Sequence, residues 1–122
     1  MDAKCHLKYQ RYGRRKVAQL LDQVRGKSLY EAQYILAALP RRATDVVGKA
    51  IKSAGANLSV KLGRKLDLKQ VWVTECFSDQ GPMKFLRRVQ PGPQGRAMPF
   101  KRKMCHISVV VSDTKKKSKE SN

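Results

Sequence analysis

The chain has 122 residues, of which 27 are Lys or Arg and 9 are Asp or Glu, giving a formal net charge of +18 at pH 7. That length supports one domain with a modest core, and the charge repels itself strongly enough to disfavour a compact state unless a partner supplies counter-charge. No stretch approaches the ~18 apolar residues of a membrane span, Met1–His6 lacks an apolar signal core, and three cysteines without a Cys-x-x-Cys pair argue against a disulfide framework and for a reducing compartment.

Residues 3–9 alternate, with Ala3, Cys5, Leu7 and Tyr9 on one side and Lys4, His6 and Lys8 on the other. That is the period of a half-buried strand. A basic cluster follows, Arg11, Arg14, Arg15 and Lys16. Val17, Leu20, Leu21 and Val24 then make one apolar stripe at helical spacing. Gly13 is a second-rank cap at the start of this helix, and Gly26 is placed to stop it. Ser28-Leu29-Tyr30-Glu31 is a capping-box pattern. It opens a second helix with Leu29, Ala32, Leu36 and Leu39 near one face and Ile35 beside them, ended by Pro40. Ala43, Val46, Val47, Ala50, Ile51 and Ala54 predict a third helix from about Arg42 to about Leu58. Residues 59–68 read as a connection and Gln70–Phe77 as a strand. Met104–Val111 reads as a further strand, apolar enough on both faces to sit centrally.

Gln80–Ser112, the connection between these last two strands together with the second of them, holds seven Lys/Arg and no Asp or Glu, punctuated by Gly81-Pro82, Pro91-Gly92-Pro93, Gly95 and Pro99. A connection of this length is uncommon in a compact domain unless it is functional. Extending the flanking strands outward turns it into a hairpin. Arms of about 20 residues would reach at most ~60 Å, and the Gly and Pro placement predicts an irregular, bent tip. The expected fold class is α+β: three helices on a three-stranded antiparallel sheet, with a long protruding β-hairpin. Residues 1–112 form one RNA-binding domain in this reading, with the hairpin extension at about 78–103 and a basic disordered tail at 113–122.

Catalysis finds little support. His6 and His106 are the only histidines, and no nucleophile elbow, P-loop, Rossmann or His-Glu zinc motif is present. Adjacent strand residues point to opposite faces, so Cys5-His6 and Cys105-His106 are poor joint metal ligands. No enzyme activity, metal or cofactor is expected. The basic residues form two clusters, one at the strand-to-helix junction and one along the extended segment at Arg87, Arg88, Arg96, Lys101, Arg102 and Lys103. Arg14 and Arg15 lie near the positive end of the first helix dipole, unfavourable for cations but suited to a phosphate. Arg grips phosphate in two bonds and stacks on bases. Phe85 and Phe100 are the only rings in the basic segment, which favours reading RNA shape and phosphate over stacking single-stranded bases. RNA is placed ahead of DNA, because no zinc finger, leucine zipper or clear helix-turn-helix is visible. A free nucleic-acid chaperone or architectural DNA protein is the alternative that charge leaves open.

Several segments, in order, resemble the bacterial-type large-subunit ribosomal protein twenty-two family over nearly all of residues 4–113. They are Lys8-Tyr9-Gln10-Arg11-Tyr12-Gly13-Arg14-Arg15-Lys16-Val17, Val24-Arg25-Gly26-Lys27-Ser28, Asp79-Gln80-Gly81-Pro82, Gly95-Arg96-Ala97 and Cys105-His106-Ile107-Ser108-Val109-Val110-Val111-Ser112. The resemblance implies a structural constituent of the large ribosomal subunit that binds large-subunit ribosomal RNA early in assembly. It implies a globular part near the exit of the nascent-peptide tunnel and a hairpin lining the tunnel wall, opposite a loop of large-subunit protein four. By position, Arg11, Arg15, Lys16, Arg25 and Lys27 contact RNA from the globular side, and Arg96, Arg102, Lys103 and His106 from the hairpin. Arg14, Lys84, Arg87, Arg88 and Lys101 complete the expected RNA-binding set. The tunnel-lining tip is expected at Met83, Lys84, Phe85, Leu86, Arg87, Arg88, Val89, Gln90, Pro91, Gly92 and Pro93. Expected partners are ribosomal RNA, neighbouring ribosomal proteins including protein four, and the passing nascent polypeptide, with no membrane and no homo-oligomer. The expected location is the large subunit in bacterial cytoplasm, or in a plastid or mitochondrial matrix. Two departures stand out. Gly13-Arg14 replaces the family's Ser-Pro, which predicts a weaker helix cap. Val89–Gln94 replaces a more basic run, which predicts a neutral tip.

Overall fold

The computed structural model describes residues 1–84 and 86–115. Phe85 and most of the expected tail, 116–122, lie outside the described residues. In chain order the elements are β1 (Asp2–Gln10), α1 (Arg14–Val24), α2 (Leu29–Ala38), α3 (Thr44–Leu62), β2 (Trp72–Gln80), β3 (Arg87–Pro91), β4 (Ala97–Lys101) and β5 (Cys105–Ser112). Short 3-10 turns occupy Leu68–Gln70 and Pro93–Gly95. The main sheet is antiparallel in the order β1-β5-β2, and β3-β4 form a separate two-stranded ribbon. The α+β class and the central place of the last strand agree with the sequence reading.

The helices bury most of the expected stripes: Val17, Leu20, Leu21 and Val24 of α1, Leu29, Ala32 and Leu36 of α2, and Val47, Ala50, Ile51 and Ala54 of α3, with Leu39 and Val46 half-buried and Leu58 added to the stripe of α3. They cover the sheet face formed by Ala3, Cys5, Val73, Cys76, Cys105, Ile107, Val109 and Val111. Burying the Val, Leu and Ile side chains among them contributes about 1.5–3 kcal/mol each, which is what holds so highly charged a chain compact.

The helix ends follow local chemistry. Gly13 caps α1 without a side-chain bond, as expected. Ser28 and Glu31 complete a capping box: the Glu31 N–H donates to Ser28 Oγ at 3.2 Å, and the Ser28 N–H donates to Glu31 Oε2 at 3.4 Å. The third helix runs on to Leu62, a turn beyond its expected end, and stops at Gly63 with φ +66°. Gly55 does not interrupt it. A Cβ there would lie 2.9 Å from Leu29 Cδ1, so glycine lets α3 pass close to α2.

Both edges of the main sheet are occupied, which blocks strand addition. Along β2, the Gly26 N–H donates to Val73 O, the Val73 N–H to Lys27 O and the Leu29 N–H to Val71 O, each at 2.9 Å. Along β1, Asn57 Nδ2 and Lys61 Nζ of α3 donate to the carbonyls of Lys4 and Asp2 at 2.9 and 2.8 Å.

Candidate nucleic-acid interface

The basic residues at the two ends of α1 separate into two kinds. Arg14 and Arg25 are partly spent within the protein. Arg14 Nε donates to Ser78 O at 3.1 Å, and Ser78 Oγ donates back to Arg14 O at 3.2 Å. Arg25 donates to Cys76 O at 2.6 Å and to Asp22 Oδ1 at 2.7 Å. These bonds fasten α1 to β2. Arg11, Arg15, Lys16 and Lys27 are exposed. Among ion pairs between described residues, only Arg25–Asp22 uses a Lys or Arg side chain. The other described Lys and Arg side chains form no ion pair with a described acid.

The structure also adds residues that sequence reasoning missed. Arg42 lines an open cleft of about 420 Å³ with Arg11, Tyr12 and Asp45, and Arg41 donates to Gln19 Oε1 of α1 at 2.5 Å. The basic pair directly after Pro40 was the available signal. The connection between α2 and α3 brings it beside α1, so two sequence-distant clusters lie together.

The hairpin leaves the sheet at a joint. The Gly81 N–H donates to Met104 O at 2.9 Å, and the Arg102 N–H donates to Leu86 O at 2.9 Å. A Cβ on Gly81 would meet Met104 Cβ at 2.9 Å, so glycine is needed where β2 and β5 run on into the hairpin arms. Beyond the joint, Arg87 faces Lys101, Arg88 faces Phe100, Val89 faces Pro99, Gln90 faces Met98 and Pro91 faces Ala97. Every residue of this ribbon is exposed. It has no core of its own, and a lone two-stranded ribbon is marginal in water. The direct pairing of Arg87 with Lys101 is also repulsive. An anion between them would reverse that. Arg102 lies over the Phe100 ring at 5.4 Å.

The turn sits at Gly92–Arg96, later than the Met83–Pro93 span expected for the tip. The Gly92 N–H donates to Arg96 O at 2.7 Å, and Gln94 and Gly95 take positive φ of 56° and 72°. Met83, Lys84 and Leu86 therefore belong to the joint, and Arg87–Pro91 form the outgoing strand. Only Gly92 and Pro93 of the expected tip lie in the turn. The end of the hairpin is not neutral either, because Arg96 closes it. The neutral run expected at Val89–Gln94 faces Ala97, Met98 and Pro99, so the uncharged part of the ribbon lies between the basic joint and Arg96.

Both histidines serve local structure. His6 Nδ1 lies 2.9 Å from Ser108 Oγ, and His106 Nδ1 accepts the Tyr9 N–H at 3.0 Å. The three cysteines are free and buried. Burial raises the Cys76 thiol above its ordinary value, opposed by nearby Arg25, and burial likewise raises Cys105. Neither is an activated nucleophile. Among the described residues no group of His, Cys, Asp and Glu is arranged to hold a metal, and no helix is long and apolar enough to cross a membrane.

The described residues thus form an α+β domain with exposed cations about α1 and along a coreless ribbon. The family model described as Ribosomal protein L22p/L17e matches residues 5–112, and the chain belongs to that family. It is 42% identical over 115 residues to the large ribosomal subunit protein uL22 of Pelotomaculum thermopropionicum, covering 94% of this chain and 98% of that one. It is 45% identical over 96 residues to the uL22 of Nostoc punctiforme, covering 79% and 78%. A plastid-type relative, uL22c of Porphyra purpurea, is 42% identical over 106 residues, covering 87% and 88%. The chain is thus a structural, non-enzymatic ribosomal component of the bacterial and plastid type.

Proposed function

We propose that this chain, as a structural constituent of the large ribosomal subunit, binds large-subunit ribosomal RNA through the cations about α1 and its hairpin and aids assembly by joining RNA segments. The single observation that carries the reading is the ribbon. All its residues are exposed, and Arg87 sits opposite Lys101 in register. Such an element gains its stability from phosphates packed around it. Cross-linking from the hairpin of the assembled subunit tests this: adducts at Arg87, Lys101 and Arg102 should fall on ribosomal RNA. Adducts confined to proteins would refute it.

The hairpin also lines the polypeptide exit tunnel in this proposal, near protein four, as the family resemblance implies. The uncharged stretch of Val89, Gln90, Pro91, Ala97, Met98 and Pro99 supports it, since a wall without fixed charge does not hold a passing peptide. A photoreactive group at Val89 should cross-link to a stalled nascent chain. Labelling of ribosomal RNA alone would count against the lining role.

A further inference from the structure

The alternation of β1 predicts that Tyr9 packs inward with Ala3, Cys5 and Leu7. The structure turns it out. The pairing of β1 with β5 shifts register between Leu7 and Gln10, Tyr9 adopts φ +59°, and its side chain is 59% exposed. A left-handed backbone is unfavourable for a bulky residue, and so is an aromatic ring held in water. One bond compensates in part, from the Tyr9 N–H to His106 Nδ1 at 3.0 Å. The two rings meet edge-on, with centroids 4.9 Å apart and planes at 87°. A perpendicular pair leaves ring face uncovered. Because His106 Nδ1 accepts a hydrogen bond, the neutral ring carries its proton on Nε2. Among the described residues no partner takes that N–H.

We propose that Tyr9 and His106 form a stacking platform for one unpaired base of RNA at the root of the hairpin. The proposal rests on the RNA-binding reading and names what that surface takes beyond phosphate. Exposed Lys8 and Arg11 bracket Tyr9 in the chain. Exposed Lys103 lies two residues before Cys105, the partner of Gln10. Cations on both sides of an exposed ring suit a nucleotide, with phosphates on the cations, the base on the ring and the His106 Nε2–H free to donate to either. A protein partner would gain little from an aromatic pair ringed by like charges. Strained backbone that presents a side chain outward is a feature of binding sites.

The test uses the full chain and two RNA hairpins, one with a single bulged 2-aminopurine and one with that base paired. The bulged RNA should bind roughly tenfold tighter, and its fluorescence should be quenched on binding. Tyr9→Asn removes the ring, and asparagine tolerates the left-handed backbone. It should abolish the preference and the quenching, keep the affinity for paired RNA within about twofold, and leave the urea midpoint unchanged. Tyr9→Phe should behave as the parent. Equal binding of both RNAs by the parent chain, or a preference that survives Tyr9→Asn, overturns the platform alone. Failure of the parent chain to bind either RNA overturns the RNA-binding reading along with it.

Discussion

Changing Lys101 to glutamate should push the free hairpin and the RNA complex in opposite directions. In the free chain Lys101 lies directly across from Arg87. A like pair becomes an opposite pair, and such cross-strand pairs contribute about 0.2–1 kcal/mol. Amide exchange in Arg87–Pro91 should therefore slow. On RNA the sign reverses. Each phosphate contact adds about 0.7–0.9 to the slope of log affinity against log salt, or roughly five- to eightfold in affinity at ~0.1 M salt. Lys101→Glu removes one contact and ties up Arg87, so two are lost. Affinity should fall about 25- to 60-fold at ~0.1 M salt, and the slope should drop by about 1.4–1.8. Lys101→Gln should lose about half as much on the logarithmic scale. The measurement is anisotropy titration against large-subunit ribosomal RNA between ~50 and ~200 mM salt, over which the parent affinity should drop by ~10³ or more. Unchanged affinity and slope in Lys101→Glu would refute the idea that phosphates neutralise the ribbon.

Three further outcomes can be checked on the free chain. Ser28→Ala removes the capping box at α2 and should cost about 1 kcal/mol in urea unfolding followed by Trp72 fluorescence; Ser28→Thr should retain most of it. Gly81→Ala drives a Cβ into Met104 at 2.9 Å, with an expected cost of about 1–3 kcal/mol and faster exchange of the Gly81 amide, whereas an unperturbed amide would show that the joint has slack. Burial raises the Cys76 and Cys105 thiols above their ordinary 9.0. The folded state then holds these protons more tightly than the unfolded chain, so the stabilisation is complete below 9.0 and is lost as pH rises through the higher folded values. Thiol reagents at pH 8 should react only as fast as the chain opens, and immediate reaction of Cys76 would contradict its burial.

Most elements were legible because they rest on local signals. The stripe at Val17, Leu20, Leu21 and Val24, the Ser28–Glu31 box and the apolar run at Ile107–Val111 each need only neighbours in sequence. The sequence was less informative where a distant partner decides. Gly55 within α3 has its reason in Leu29 of α2, whose Cδ1 would lie 2.9 Å from a Cβ there. Position in the family puts the tip at Met83–Pro93, while the pairing of β3 with β4 puts the turn at Gly92–Arg96. Arg14 and Arg25 look in sequence like the other basic residues, but carbonyls of β2 engage both.

The sequence by itself determined how strongly cationic this chain is, since 27 cations against 9 acids is a matter of counting. It also determined the helices and the central strand, through periodicity and caps. Only the tertiary structure decided which cations are left over, where the hairpin bends and that Tyr9 faces water. Those depend on hydrogen bonds and contacts between residues far apart in the chain, from Arg14 with Ser78 to Tyr9 with His106. No local pattern encodes such pairs, because they exist only once the strands and helices have packed.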